Sequence, residues 1–164
     1  FFKGCNMACS WCHNPGNSVR QAAVDGVIRK KLHWLRCLRK GVQGGSQNHR
    51  NGILHYDRSV CTGCGACAQS CFTGALVMSG KEMAVEEVMS EVLQDRGYYR
   101  NSGGGVTLSG GEVAAQPEFA VELLKALKNE NISTAIETNL YAPWSVYESL
   151  MPFVDLVMFD IKVF

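Results

Sequence analysis

The sequence predicts an α/β protein, a partial (β/α) barrel interrupted by a small iron–sulfur module. Three observations point there. The second half alternates short apolar runs with amphipathic stretches, which is the pattern of parallel strands with helices outside. Each apolar run ends in a polar or charged residue, as strands do when their C-terminal ends form a barrel's active rim. Between the first strand end and this alternation lie a basic stretch and a tight group of four cysteines. The expected division is residues 1–26 for the first strand end and a cysteine loop, 27–80 for the insert, and 81–164 for the rest of the barrel.

Phe1-Phe2-Lys3-Gly4 reads as the end of a strand entering a loop. The loop carries Cys5, Cys9 and Cys12 at a C-x3-C-x2-C spacing. Three thiolates can hold three irons of a four-iron cluster and leave the fourth without a protein ligand. A cluster that only carries electrons usually takes four thiolates. An open iron can bind a substrate, as a catalytic zinc keeps one position free. A structural zinc site wants a fourth ligand, and His13, adjacent to Cys12, is poorly placed to supply it.

Residues 16–26 read as loop. Residues 27–40 place Val27, Ile28, Leu32, Leu35 and Leu38 near helical spacing with basic residues between them. That basic run is either a solvated helix face or a docking surface for an acidic partner. Residues 41–52, with Gly44-Gly45-Ser46 and Asn51-Gly52, read as a loop with turn signals. Cys61, Cys64, Cys67 and Cys71 follow at C-x2-C-x2-C-x3-C, the ligand run of bacterial-type ferredoxins, with Phe72 where proline is usual. In two-cluster ferredoxins the fourth cysteine of such a run serves the other cluster. Only one complete run is present, so the fourth ligand is either Cys37 or Cys71. Cys37 can equally be a buried free thiol.

From Met83 to Arg96 the set Val85, Val88, Met89 and Val92 is helical. Val106-Thr107-Leu108 is a strand ending in Ser109-Gly110-Gly111-Glu112. Pro117 opens a helix through Leu127. Ile132–Thr138 is a strand ending in Glu137-Thr138. Pro143 opens a helix through Leu150, and Val154–Lys162 is a third strand ending in Asp160-Ile161-Lys162. Glu112, Glu137, Asp160 and Lys162 are expected to converge with the cysteine loop at one rim. There an amino acid could chelate the open iron, its amine facing Glu112 and its carboxylate facing Lys162. Trp11 and His13 offer flat surfaces for a base.

The chain has 164 residues, 46% hydrophobic, with a net charge of +1. That suffices for a real core and gives no global field for nucleic acid or an anionic membrane. No apolar run is long enough to span a bilayer. Eight cysteines in metal-like groups fit a reducing, oxygen-poor cytoplasm better than a disulfide framework. The chain starts on a strand end, and Val163-Phe164 follows directly on a strand, so the chain is expected to be cut at both ends.

These motifs resemble those of radical S-adenosylmethionine enzymes, and among them the glycyl-radical enzyme activating enzymes of the pyruvate formate-lyase activase type. Cys5-x3-Cys9-x2-Cys12 with Trp11 is similar to the superfamily signature, and His13-Asn14-Pro15 is typical of the activases. Gly110-Gly111-Glu112 resembles the segment that binds the amine of the methionyl group. Glu137-Thr138-Asn139 and Asp160-Ile161-Lys162 resemble further cofactor-binding segments. The ferredoxin-like insert resembles that of the larger activases. Val113 stands where proline often follows, and Leu140 where glycine is common. The resemblance implies S-adenosylmethionine and a [4Fe-4S] cluster on Cys5, Cys9 and Cys12, with at least one auxiliary [4Fe-4S] cluster. It implies a flavodoxin or ferredoxin donor, reductive cleavage of the cofactor to a 5′-deoxyadenosyl radical, and hydrogen abstraction from a backbone glycine of a partner glycyl-radical enzyme. The other readings are a radical S-adenosylmethionine enzyme acting on a different peptide or small molecule, and a ferredoxin-like electron carrier.

Overall fold

The computed structural model describes residues 1–13, 23–25, 47–50, 53–56, 61–72, 74 and 76–162. Two compact units divide the chain: Phe1–Arg20 with Glu82–Phe164, and Gln21–Lys81. The helix expected over 27–40, Cys37, and the Asn14-Pro15 pair lie outside the described residues.

In the smaller unit, β1 (Ala23–Asp25) pairs antiparallel with β4 (Val77–Ser79). β2 (Gln47–Arg50) pairs antiparallel with β3 (Ile53–Tyr56), Arg50 facing Ile53. Both β1 and β2 fall where loop was expected. β2 and β3 bracket Asn51-Gly52, the strongest short-range hairpin signal in a sequence. β1 has only three residues and β2 is wholly polar, so no apolar alternation announced either. A four-residue helix, α1 (Ala66–Gln69), sits inside the cysteine run.

The larger unit is an α/β layer. Its sheet has the order β5 (Gly105–Leu108), β6 (Ser133–Thr138), β7 (Leu156–Phe159), with all three strands parallel. Phe2 adds a parallel bridge to Gly110 beyond β5. Its N–H donates to Ser109 O at 2.6 Å, and Gly111 N–H donates to Phe2 O at 2.9 Å. Phe2 thus lies beside the end of β5 through one isolated bridge. The approach is close enough to require glycine: a Cβ at Gly110, whose φ is 137°, would lie 2.2 Å from Phe2 O.

The helices are α2 (Val85–Val92), α3 (Arg96–Ser102), α4 (Pro117–Asn129) and α5 (Trp144–Leu150). Glu87 reaches back to accept Ala84 N–H at 2.8 Å and closes the first turn of α2. A 3-10 turn, Leu93–Asp95, carries the helical path on into α3, past Arg96 where the helix was expected to end. The stripe Val85, Val88, Met89 and Val92 continues at Tyr99, but Arg96 occupies the intervening position and hides the period. Pro117 takes the first helical position of α4, where its missing N–H costs nothing.

α4 packs on β6 and lies between α2 and α5. Leu124, Leu127, Ile136 and Leu150 are fully buried there. Each contributes about 1.5–3 kcal/mol of transfer free energy. Phe2 meets Phe119 edge to face at 5.8 Å. Strand period two separates the faces of β6: Thr134, Ile136 and Thr138 are buried, and Glu137 is exposed. No helix of the described residues is long and apolar enough to cross a membrane.

Candidate functional site

Parallel strands deliver their C-terminal ends to one rim, and the Cys5–Cys12 loop starts there. Glu112 N–H donates to Gly4 O at 2.8 Å, and Gln116 Nε2 donates to Lys3 O at 2.7 Å. These bonds tie the loop's base to the segment after β5. Cys12 N–H donates to Cys9 O at 3.1 Å, a turn that brings the second and third cysteines together. Cys5 and Cys9 are half-buried, Cys12 is exposed, and all three are free thiols.

Cys5 Sγ has two N–H donors: the Met7 backbone at 3.5 Å and Asn139 Nδ2 at 3.8 Å. Among the described residues no three Cys, His, Asp or Glu side chains converge tightly enough to hold a single ion. A four-iron cube holds its thiolates further apart than one ion does. Three thiols on one loop, with N–H donors aimed at the first, fit such a cube with one iron left open.

A cleft of about 540 Å³ lies beside this loop, lined among others by Asn6, Cys9, Trp11, Tyr141 and Lys162. Lys162 pairs with Asp160 at 2.7 Å. The Asp160 hydrogen bond holds its ammonium above the ordinary lysine range, and the Cys9 and Cys12 thiolates push the same way. The cleft therefore joins a cation, an aromatic face and the cysteine loop. His13 is exposed and does not line it.

Glu112 is buried, 2% exposed. Its Oε1 accepts Ala114 N–H at 3.0 Å and the Thr138 hydroxyl at 2.6 Å, and its Oε2 accepts Asn139 N–H at 2.8 Å. The carboxylate offered by the sequence as an amine acceptor thus has both oxygens engaged by the protein. It locks the turn after β5 to the end of β6. Thr138 also meets the hydroxyl of Tyr147 at 3.2 Å. Burial pushes the Tyr147 phenol up. The accessible carboxylates at these strand ends are Asp160 and Glu137, and Glu137 accepts the Ser109 hydroxyl at 2.5 Å.

Sequence reasoning passed over Asn6, Ser109 and Tyr141, and quoted Asn139 without giving it a role. Asn6 donates to Tyr141 O, and Asn139 Nδ2 donates to Asn6 Oδ1 at 2.9 Å. An asparagine one step past a strand end is a turn signal, and that signal was on the page.

In the second cysteine group, the following contacts among the described residues are local. Gly63 N–H donates to Cys61 Sγ at 3.3 Å. Gly65 sits at φ 74° and opens α1. The Ala66 N–H, helped by the Thr62 side chain, holds the Cys64 thiol below its ordinary range. Cys67 and Cys71 are buried, and burial pushes the Cys67 thiol up.

The family of 4Fe-4S binding domains matches residues 54–77, the segment holding these four cysteines. Among curated proteins the chain is similar to the (2S)-3-sulfopropanediol dehydratase activating enzyme of Klebsiella oxytoca. It is 39% identical over 166 residues, 99% of this chain and 52% of that protein. It is 38% identical over 164 residues to the choline trimethylamine-lyase activating enzyme of Oleidesulfovibrio alaskensis, covering 99% of this chain and 53% of that one. The benzylsuccinate synthase activating enzyme of Thauera aromatica is 35% identical over 167 residues, with 99% and 50% covered. The chain spans about half the length of the curated relatives it matches.

Proposed function

We infer that this chain, a homologue of glycyl-radical enzyme activating enzymes over nearly all its length, carries the cluster and cofactor end of such an activase. The observation that supports this most is the loop of three thiols opening on a cleft that also holds Trp11 and Lys162.

In this reading Cys5, Cys9 and Cys12 hold a [4Fe-4S] cluster with one iron open to the amine and carboxylate of S-adenosylmethionine. When bound, that pair supplies one-electron cleavage of the carbon–sulfur bond to methionine and a 5′-deoxyadenosyl radical, which takes a hydrogen atom from a backbone glycine of the partner glycyl-radical enzyme. Lys162 neutralises the cofactor's carboxylate, and its tie to Asp160 keeps it charged. Trp11 gives the adenine a flat wall, while Cys12 and His13, which do not line the cleft, continue the loop past it. Glu137 accepts from the cofactor's polar end. Gly110 and Gly111 bring backbone close to it, and Glu112 acts by fixing those glycines against Thr138 and Asn139. Asp160-Ile161-Lys162 closes the cleft from the end of β7.

Cys61, Cys64 and Cys67, with Cys71 or Cys37, hold an auxiliary [4Fe-4S] cluster fed by flavodoxin or ferredoxin. The strands belong to a (β/α) barrel. Sequential parallel order, one helix layer and an opposite face exposing Thr107, Glu137, Leu156 and Met158 support that architecture. The setting is an anaerobic cytoplasm.

The test uses the full-length protein, reduced without oxygen and given S-adenosylmethionine and its glycyl-radical partner. Methionine and 5′-deoxyadenosine are expected, with a glycyl radical signal on the partner. Cleavage without that radical points to a different radical substrate. No cleavage reduces the protein to an electron carrier.

A further inference from the structure

The Asn139 side chain, just past β6, is bound on every polar atom. Its Oδ1 accepts Tyr141 N–H at 2.9 Å. That bond fixes which way the amide faces, since a flipped amide would set its NH2 against an N–H. Nδ2 is therefore turned toward the cysteine loop. It donates to Asn6 Oδ1 at 2.9 Å and to Cys5 Sγ at 3.8 Å. The backbone N–H of the same residue is held by buried Glu112 at 2.8 Å. Sulfur is large and diffuse, so N–H donors to it stand further off than donors to oxygen. Beside it, the Met7 N–H at 3.5 Å is the second donor on this sulfur.

We propose that Asn139 is a positioning residue that donates an N–H to the Cys5 thiolate of the rim cluster and raises that cluster's reduction potential. This deepens the function proposed above and rests on it. The physical cause is charge: the reduced cluster carries one more negative charge, so a donor dipole on a ligating sulfur favours it over the oxidised form. Glu112 and Tyr141 hold the donor in place, so the interaction needs no reorganisation when the electron arrives.

The experiment is an anaerobic redox titration of the full-length holoprotein, followed by electron paramagnetic resonance. The signal that changes on adding S-adenosylmethionine identifies the rim cluster. Asn139→Asp keeps an oxygen for Tyr141 N–H and turns a second oxygen toward Cys5. At fixed solution potential its ratio of reduced to oxidised rim cluster is expected to fall about tenfold, a shift of about 59 mV for one electron, with iron content unchanged. Asn139→Ser, small and uncharged, is expected to shift in the same direction by less. A purely structural role would lower iron content or thermal stability without moving the potential. A responding signal with an unmoved potential in both variants overturns the role of Asn139 alone. Loss of the rim cluster from both variants overturns tuning in favour of assembly. If no signal in the unsubstituted protein responds to S-adenosylmethionine, the function proposed above falls, and this inference with it.

Discussion

The two cysteine groups of this chain build their surroundings in opposite ways. Among the described residues, the second group's thiols take the following contacts from within their own run. Gly63 N–H reaches Cys61, Ala66 N–H favours the Cys64 thiolate, and Gly65 opens a helix within the run. The first group borrows. Its base is held by Glu112 and Gln116, and its first sulfur takes, beside the local Met7 N–H, a donor from Asn139, more than a hundred residues away in sequence. A local motif gives its thiolates an environment wherever it is placed. The borrowed one has its environment only when β5 and β6 are already folded. An electron relay can be a portable module, whereas a site that must hold a substrate needs walls from several strands.

The sharpest break in this comparison is Cys9→Ala against Cys64→Ala. With a chemical reductant, the first is expected to abolish S-adenosylmethionine cleavage in the full-length protein. The second is expected to lower it less than about tenfold, as the auxiliary relay proposed above requires. Equal loss in both would mean that the two groups serve one centre, and the contrast would disappear.

Glu112→Gln tests the borrowing itself. It sets an NH2 among three donors that a buried carboxylate now satisfies. A loss of about 3 kcal/mol in unfolding free energy is expected from the denaturant midpoint. The iron of the rim cluster should fall with it, and the iron of the second group should stay. An unchanged midpoint would show that the lock between the β5 turn and β6 is dispensable.

Lys162→Met acts on the cleft without touching the fold, because its partner Asp160 is exposed. The S-adenosylmethionine concentration for half-maximal cleavage is expected to rise about tenfold, equivalent to about 1.4 kcal/mol of lost binding. An unchanged value would move the carboxylate contact away from Lys162.

The same division decides what could be read from the sequence. The parallel strands and helices of the larger unit follow from period and from Pro117 and Pro143, and they were legible. The cysteine spacings were legible because a cluster's ligands lie within a dozen residues. Glu112 was legible as a rim residue but not as a buried lock. Nothing in Gly110-Gly111-Glu112 says that Thr138 and Asn139 will fold over it. β2 was missed because its polar residues carry no alternation, β1 because three residues are too few to show one, and α3 because Arg96 stands in the apolar stripe.

The smallest expected effect comes from Leu140, the residue that follows Asn139. It has φ 55°, in the left-handed region, where a side chain costs about 1–2 kcal/mol. Leu140→Gly removes that strain, and the freer unfolded chain gives back about 0.5–1 kcal/mol. A net gain of about 0.5 kcal/mol is expected in unfolding free energy. Leu140 is 44% exposed, so little packing is lost. Its backbone N–H, donating to the Thr138 hydroxyl at 3.1 Å, survives the change. Leu140 follows directly on the residue whose amide meets Cys5. If glycine stabilises the protein and leaves the rim cluster's potential alone, the hydrogen bonds to Tyr141 and Glu112 suffice to hold the donor. A potential that falls while stability rises would show that the leucine's strain itself aims the amide.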